Sequence, residues 1–240
     1  MMAKLWETLQ ENFLFVVVCI LIIAALSLSS HLAERFLPSK RKVTSTRRIT
    51  IVGICGAIAA VLHILDFPLL FLAPEFYKLD LSEVPVLLCG FYLGPSATVV
   101  CEGVKILLKL LLKGTSTAFV GDFANFVVGC SLVIPATIVY HIRKTRNGAI
   151  LGMIAGTAIL TVFGSLFNAV YLLPKFSEFF GLPLDTIVAM GTAINGNVNS
   201  ISTFVLLCVA PLNLVKGTAV SVLTLLLYKH VEKALFSRGK

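Results

Sequence analysis

The stretch PLNLVKG at residues 211–217 puts an amide and an ammonium group inside a long hydrophobic run. The run covers residues 198–228, and as a single helix it would be about 46 Å long, against a hydrocarbon core of about 30 Å. Proline lacks a backbone N–H group and is tolerated in the first turn of a helix. We therefore expect a break at Pro211, a membrane-spanning helix over residues 212–228, and a re-entrant or interfacial segment over residues 201–210.

The two polar residues of this stretch, Asn213 and Lys216, then lie in the first turns of the last spanning helix. An ionisable residue at membrane depth is energetically costly and commonly has a function. A lysine that extends its ammonium group to the lipid headgroups is an equally good interpretation of Lys216 alone. Position in the sequence leaves both interpretations open.

The composition excludes an ordinary soluble domain. Hydrophobic residues make up 58% of the 240 residues, charged residues make up 13%, and the mean hydropathy is +0.96. Soluble domains contain about 25% charged residues. The sequence therefore predicts an all-α integral membrane protein in contact with the lipid bilayer. The net charge of +8 is assigned to loops at the membrane surface and not to a nucleic-acid partner.

The hydrophobic pattern predicts seven spans, of which the first stands apart from a core of six. We place them at residues 12–30, 49–72, 84–97, 98–113, 119–141, 149–173 and 211–229. Residues 1–47 are expected to form an extra N-terminal transmembrane helix and a basic cytoplasmic linker, and residues 48–240 a six-helix membrane domain. The pair Gly94-Pro95 is a strong turn signal between the third and fourth spans.

Basic residues orient these spans. Thirteen of the 20 lysines and arginines fall in three segments, at residues 35–48, 143–146 and 229–240. Loops rich in lysine and arginine stay in the cytoplasm. We therefore expect a multi-pass protein of the cell membrane with its N-terminus outside and its C-terminus in the cytoplasm.

The sequence contains no catalytic or metal-binding motif. It lacks the GxxxxGK[ST] phosphate loop, the HExxH and GxSxG motifs and any acidic cluster, and its six cysteines lie in apolar segments without CxxC spacing. We expect a protein that is not an enzyme, has no catalytic residue, metal or cofactor, and cannot power ATP-driven transport by itself. His63 lies near Asp66, and a local hydrogen bond between them is favoured over a proton relay.

Polar side chains converge at one depth in the outer half of the membrane. Asn168, Asn213 and Lys216 each lie just inside the outer end of a span, and Asn125 lies at a similar depth. The outer loop over residues 76–82 can cover them. Polar groups at one depth below a loop predict a small-molecule pocket, although an interhelical hydrogen bond is the commoner role of a single asparagine.

A stripe of charges and a pattern of small residues mark two other helix faces. The stripe consists of Glu102, Lys105, Lys109 and Lys113, whose spacing puts them on one side of a helix. We expect Glu102 to pair with Lys105, and both a polar path and an ion-paired structural stripe fit the pattern. The small residues are Gly53 with Ala57 and Gly56 with Ala60. This spacing lets another helix approach closely, either from a partner or within the bundle.

Residues 48–233 resemble the substrate-binding S components of energy-coupling factor (ECF) vitamin transporters, and within them the riboflavin-specific RibU type. The resemblance rests on YKLDLSEVP at 77–85, GP at 94–95, NF at 125–126 with Gly129, Asn168, and NLVKG at 213–217. It implies a six-helix core with an outward-facing vitamin pocket under the first outer loop. It also implies a first core helix that docks on the transmembrane coupling subunit.

The same resemblance implies roles for individual residues. The substrate-binding residues would be Lys78, Leu79, Asp80, Asn125, Asn168, Asn213 and Lys216. The docking residues would be Gly53, Gly56, Ala57 and Ala60. Riboflavin would be the transported substrate and not a cofactor, captured with high affinity and delivered with a coupling subunit and two ABC-type ATPase subunits.

Three alternatives to this function remain. An S component for a different vitamin or a nucleobase-like compound would keep the fold and the docking face. A membrane-embedded transferase would use Asp80, Glu102 or His63, and its mark would be an acidic metal site or a His and Asp pair at one depth. A structural subunit would bind no ligand.

Overall fold

The computed structural model describes residues 13–37, 43–115, 117 and 119–236, which fold into helices and one small β-hairpin. The helices are α1 (Phe13–Phe36), α2 (Ser45–Ile64), α3 (Glu83–Leu93), α4 (Pro95–Lys113), α5 (Val120–Ile142), α6 (Arg146–Phe167), α7 (Leu173–Phe180), α8 (Leu184–Thr192), α9 (Ile201–Phe204) and α10 (Ala210–Phe236). The hairpin pairs β1 (Phe67–Pro68) with β2 (Lys78–Leu79) in antiparallel register. The predicted all-α membrane architecture is confirmed.

Five helical stretches in the described part of the chain are long and apolar enough to cross a membrane. They are Val17–Phe36, Ser45–Ile64, Val120–Ile142, Arg146–Glu178 and Ile201–Tyr228. The apolar helix Glu83–Leu93 is shorter, and α4 carries the charged stripe. These seven correspond to the seven spans expected from the sequence.

The turn between α3 and α4 lies where the sequence predicts it. Gly94 has a φ of 106°, a backbone conformation that residues other than glycine rarely adopt, and Pro95 is the first residue of α4. Helix α3 packs against α2, α4, α5 and α10, and nine of its 11 residues are buried. This central position accounts for an apolar sequence on all sides of the helix.

The two long helices that follow α5 each contain a π-helical turn just before a proline. The turn Asn168–Leu172 precedes Pro174, and the turn Val205–Val209 precedes Pro211. A proline ring clashes with the carbonyl group four residues earlier in an α-helix, and a wider π turn relieves that clash. The last helix is therefore continuous through Pro211. The predicted break at this residue and the re-entrant segment over residues 201–210 are wrong.

The chain leaves α2 earlier than expected. The helix ends at Ile64, and residues 65–82 form the hairpin and its flanking turns, so the span expected over residues 49–72 is too long. Apolar side chains of this segment pack on α7, α8 and α9, with Tyr77 against Phe204. We call this end of the bundle the hairpin end. The opposite end, which contains Gly94 and the segment 143–146, is the basic end.

Helix α1 packs directly on the six-helix core. Its side chains Cys19, Ile22 and Leu26 contact the apolar surface of α4 and α5. At the basic end, the Ser96 N–H group donates a hydrogen bond of 3.3 Å to Glu34 Oε2. The first N–H groups of a helix lack partners within it, so the Glu34 carboxylate caps the N-terminus of α4.

Candidate substrate-binding site

A cavity of about 440 Å³ lies at the hairpin end of the bundle. Its volume falls in the range of about 300–1,000 Å³ that is typical of small-molecule sites. Six of the seven residues expected to bind substrate line it, namely Lys78, Asp80, Asn125, Asn168, Asn213 and Lys216. The seventh, Leu79, is buried and is not among the lining residues. The six side chains come from four separate segments of the chain, and the fold brings them together around one cavity.

Asn168 is held in place by hydrogen bonds on both sides of its amide. Its Oδ1 atom accepts a hydrogen bond of 2.7 Å from the Tyr77 hydroxyl group, and its Nδ2 atom donates one of 2.7 Å to the Gly164 carbonyl. Asn168 is also the first residue of a π turn. Its amide plane is thereby fixed between the hairpin segment and α6.

Asn213 is buried at the cavity floor, next to Gly164 of α6. Its Nδ2 atom has no hydrogen-bond partner among the described residues. A Cβ atom at position 164 would lie 2.9 Å from that nitrogen, so only glycine at this position of α6 lets the amide come so close. A buried amide nitrogen without a partner is costly. This nitrogen lies against the backbone of α6 at Gly164.

Lys216 is buried, with 8% of its surface exposed, and does not extend to the headgroups. Its Nζ atom lies 3.0 Å from Asp80 Oδ2 and 3.0 Å from Glu83 Oε1. Burial raises the pKa of the Asp80 carboxyl, but the Lys216 ammonium and the His63 imidazole outweigh burial and hold that pKa well below its usual range. Lys216 is therefore a fixed cation at the floor of the cavity.

Lys105 lies beneath this floor and is fully buried. Its ammonium group pairs with Glu102, as expected, and lies 3.4 Å from Glu83 Oε1. It also donates hydrogen bonds of 3.1 Å to Ser82 Oγ and 3.1 Å to Asn125 Oδ1. The Asn125 amide oxygen is thereby occupied by the protein, which leaves its Nδ2 group for other contacts.

The remaining charges of the stripe are paired at the edge of the cavity. Lys109 Nζ lies 2.5 Å from Asp122 Oδ1, and Lys113 Nζ lies 3.2 Å from Asp66 Oδ1. Lys78 approaches the same Asp66 oxygen at 3.6 Å. Of the two interpretations of the stripe, the ion-paired one agrees with the structure.

His63 has a different partner from the one expected. Its Nδ1 atom lies 3.3 Å from Asp80 Oδ2, while Asp66 faces the two lysines at the cavity edge. The predicted local bond between His63 and Asp66 is therefore wrong. Helix α2 ends at Ile64, so Asp66 is no longer on the helix that carries His63.

Sequence reasoning missed two contributions to this site. In the sequence, Glu83 stands out only as part of the motif at 77–85. A carboxylate at the start of the apolar run of α3 could have indicated a buried ion pair. The sequence alone indicates no role for the segment 174–210, yet Phe176, Ile187 and Met190 line the cavity. The cap over the site therefore comes from this segment as well as from the hairpin.

The family model for the substrate-specific component of ECF transporters matches residues 47–228. The chain belongs to this family. A solved S component of a bacterial ECF transporter is 31% identical, with 80% of this chain and 99% of that chain covered and a TM-score of 0.63. The family consists of transport components, which confirms the expectation of a protein that is not an enzyme. The membership also removes the transferase alternative, although a His and Asp pair, His63 with Asp80, is present.

Two curated relatives of this S component align over most of their length. The riboflavin transporter RibU of Staphylococcus aureus (strain TCH60) is 31% identical over 196 residues, which are 82% of this chain and 96% of that protein. The riboflavin transporter FmnP of Bacillus subtilis (strain 168) is 28% identical over 183 residues, which are 76% of this chain and 90% of that protein. The resemblance stated from the sequence is thereby confirmed.

The small residues of the S component's α2 separate into two faces. Gly53 and Ala57 are exposed on the surface of the bundle. Gly56 and Ala60 are buried, and a Cβ atom at position 56 would lie 2.6 Å from Val104 Cγ1. Gly56 and Ala60 therefore pack against the core itself. Of the four small residues, only Gly53 and Ala57 are on the surface, and the docking role expected of Gly56 and Ala60 does not agree with their burial.

Proposed function

We propose that this S component is the high-affinity substrate-binding subunit for riboflavin uptake and captures the vitamin in the cavity at the hairpin end. Riboflavin is uncharged, with a planar ring system, a pyrimidine edge of hydrogen-bond donors and acceptors, and a polyhydroxyl tail. Such a ligand requires apolar walls and a few fixed polar groups. The identity to two proteins named as riboflavin transporters supports the same substrate here.

The pair of donors at the cavity floor carries this proposal. Asn213 and Lys216 line the cavity from one helix, three residues apart, and both are buried. Two such donors suit the carbonyl oxygens of the pyrimidine edge. The Asp122 carboxylate, which is paired with Lys109, also lines the cavity, and a carboxylate suits the imide N–H group or a hydroxyl of the tail.

The cap of the cavity supplies the apolar contacts that a flavin ring requires. Phe76 and Tyr77 of the hairpin segment lie with ring centroids 4.7 Å apart, and Phe176 of α7 is 6.1 Å from Phe76. All three rings line the cavity. Aromatic faces stack favourably on planar ligands. We assign the ring system to this aromatic group and the pyrimidine edge to the floor.

The chain belongs to a transporter family that works with an ECF module. We propose that this module contains a transmembrane coupling subunit, which docks on the face with Gly53 and Ala57, and two ABC-type ATPase subunits. The absence of a phosphate loop from the sequence supports this division of labour. Riboflavin is then the transported substrate, and no cofactor or metal takes part.

We also propose the orientation of the chain in the cell membrane. The hairpin end faces outside, the N-terminus lies outside, and the C-terminus lies in the cytoplasm. The support is the positive-inside rule, because residues 43–48 and 143–146 at the opposite end are rich in lysine and arginine. The cavity therefore receives substrate from outside the cell.

The direct test is flavin binding by the purified full-length chain in detergent. We expect the protein to be yellow, with a flavin absorption spectrum, and ligand-free protein to quench riboflavin fluorescence in a saturable titration. No quenching by folded protein would reject riboflavin as the substrate. Binding of another vitamin or of a nucleobase-like compound, together with no binding of riboflavin, would instead identify the alternative S component.

A further inference from the structure

One carboxylate oxygen links the cavity floor to the charges buried beneath it. Glu83 Oε1 lies 3.0 Å from Lys216 Nζ and 3.4 Å from Lys105 Nζ. Glu83 is completely buried and does not line the cavity. The side chain is therefore out of reach of the substrate but in contact with a residue that reaches it.

The surroundings of Glu83 hold it in one place. It is the first residue of the central helix α3, and Lys105 binds it from α4. Lys105 is itself held by Glu102, Ser82 and Asn125. An ion pair that is fully buried and has several further hydrogen bonds is geometrically fixed, because any displacement leaves a charge without a partner in a medium of low dielectric constant.

The geometry of an ammonium group then limits what Lys216 can do. The group has three N–H donors in fixed directions. Asp80 Oδ2 accepts a hydrogen bond of 3.0 Å from one of them, and Glu83 Oε1 forms an ion pair with the same nitrogen at 3.0 Å. Once both carboxylates are in place, the direction of the third N–H group is set. Asp80 comes from the segment that caps the cavity, whereas Glu83 comes from the rigid interior of the bundle.

We propose that Glu83 is a positioning residue for substrate binding, which aims the third N–H group of Lys216 into the cavity and keeps that ammonium group apart from Lys105. The inference rests on the proposed function, because it needs a ligand acceptor opposite Lys216. Glu83 contributes to affinity only through Lys216. Removing its charge takes away the carboxylate that the Lys105 and Lys216 ammonium groups share, so the two buried cations then repel each other without it.

The test is a double-mutant cycle on the detergent-purified chain, with riboflavin affinity measured by fluorescence quenching. Glu83→Gln keeps the shape and one acceptor but removes the charge. We expect it to weaken binding by about tenfold to one hundredfold. In a Lys216→Met background, Glu83→Gln should change affinity by less than about twofold, because the route through Lys216 is already gone. Full additivity of the two changes would overturn the proposal.

Two further variants guard against a trivial loss of folding. Glu83→Asp keeps every charge but withdraws the carboxylate by one methylene, so we expect folded protein, judged by its ligand-free unfolding temperature, with weakened binding. Wild-type affinity in this folded variant would overturn the proposal. The matched control is Glu178→Gln, which neutralises an exposed carboxylate paired with Lys175 at 2.5 Å, and it should bind as the wild type does.

The outcomes separate this inference from the function on which it rests. Failure of the wild-type chain to bind riboflavin would reject the proposed function. Tight binding by the wild type together with unchanged binding by folded Glu83→Gln protein would leave the function in place and reject the role of Glu83.

Discussion

The Tyr77 hydroxyl group donates a hydrogen bond of 2.7 Å to Asn168 Oδ1, across 91 residues of sequence. Tyr77 belongs to the segment that caps the cavity, and Asn168 belongs to a π turn at the cavity wall. The bond therefore ties the cap to the wall of the site. It also orients the Asn168 amide, because an oxygen that accepts from Tyr77 leaves the nitrogen to donate to Gly164.

This bond leads to a prediction for Tyr77→Phe. The variant keeps the ring but loses the hydroxyl group, so we expect riboflavin affinity to fall by about 0.5–1.5 kcal/mol, with faster dissociation, because the cap is held less firmly. Stopped-flow fluorescence measures the dissociation rate. The matched control is Tyr228→Phe, which removes a hydroxyl group from the 2.6 Å contact with Tyr140 at the basic end. An equal effect of both variants would contradict a role for Tyr77 at the site.

The donors at the cavity floor give a second prediction. Asn213→Ala should weaken riboflavin binding by about 0.5–1.5 kcal/mol and lower the stability of the ligand-free protein less than Lys216→Ala does, because its Nδ2 group has no partner to lose. Titration with riboflavin and thermal unfolding in detergent measure the two effects separately. A loss of ligand-free stability with unchanged affinity would show that Asn213 serves packing alone.

Lys216 should behave differently from Asn213. Lys216→Ala removes the partner of two buried carboxylates, so we expect both a loss of affinity of about 1.5–3 kcal/mol and a loss of stability of about 3–5 kcal/mol. Lys216→Arg should not restore affinity, because a planar guanidinium cannot occupy the place of a compact ammonium group. Wild-type affinity in the folded arginine variant would remove Lys216 from the site.

The two faces of α2 give a prediction with a matched pair. Ala57 is exposed and Ala60 is buried. Ala57→Leu should leave riboflavin affinity intact while it reduces assembly with the ECF module, because a larger side chain prevents close helix approach. Ala60→Leu should overpack the core and cost about 1–3 kcal/mol of stability. Pull-down with the module and thermal unfolding distinguish the two, and equal assembly by wild type and Ala57→Leu would place docking elsewhere.

The hydrogen bond between Glu34 of α1 and the N-terminus of α4 gives a prediction about the extra helix α1. Glu34→Ala removes the acceptor for the Ser96 N–H group, so we expect the free energy of unfolding to fall by about 1 kcal/mol. Riboflavin affinity should not change, because this contact lies at the basic end, away from the cavity. Chemical unfolding in detergent measures the first effect. A change in affinity with unchanged stability would assign α1 a role in the site.

Much of the fold could be predicted because its signals are local. The turn at Gly94 and Pro95, the span of α5 and the pairing of Glu102 with Lys105 depend only on neighbouring residues. The continuity of the last helix through Pro211 could not be predicted, because a π turn has no signature in hydrophobic periodicity. The contact of His63 with Asp80 also depends on where α2 ends, which the pattern alone placed too late.

The sequence could predict the membrane depth of the side chains in the candidate site, but it could not predict which of them contact one another. Asn168, Asn213 and Lys216 could be assigned to one level of the membrane by counting residues from the span ends. The shared use of Glu83 by two lysines depends on how α3, α4 and α10 pack, and helix packing is not encoded in the spacing of a single helix. Sequence therefore located the cavity but not the charges that fix its floor.

The π turn Val205–Val209 has a consequence for the cap of the cavity. A π turn contains one residue more than an α-helix uses for the same stretch, so the extra residue is absorbed within the turn and the helix on either side keeps its orientation. If the same residues were wound as a regular α-helix instead, the extra residue would rotate α9 by about 100° around the helix axis relative to α10. Phe204 would then leave its place 6.2 Å from the Tyr77 ring. The π turn therefore sets the orientation of α9 relative to the cavity floor, although none of the residues of the turn lines the cavity.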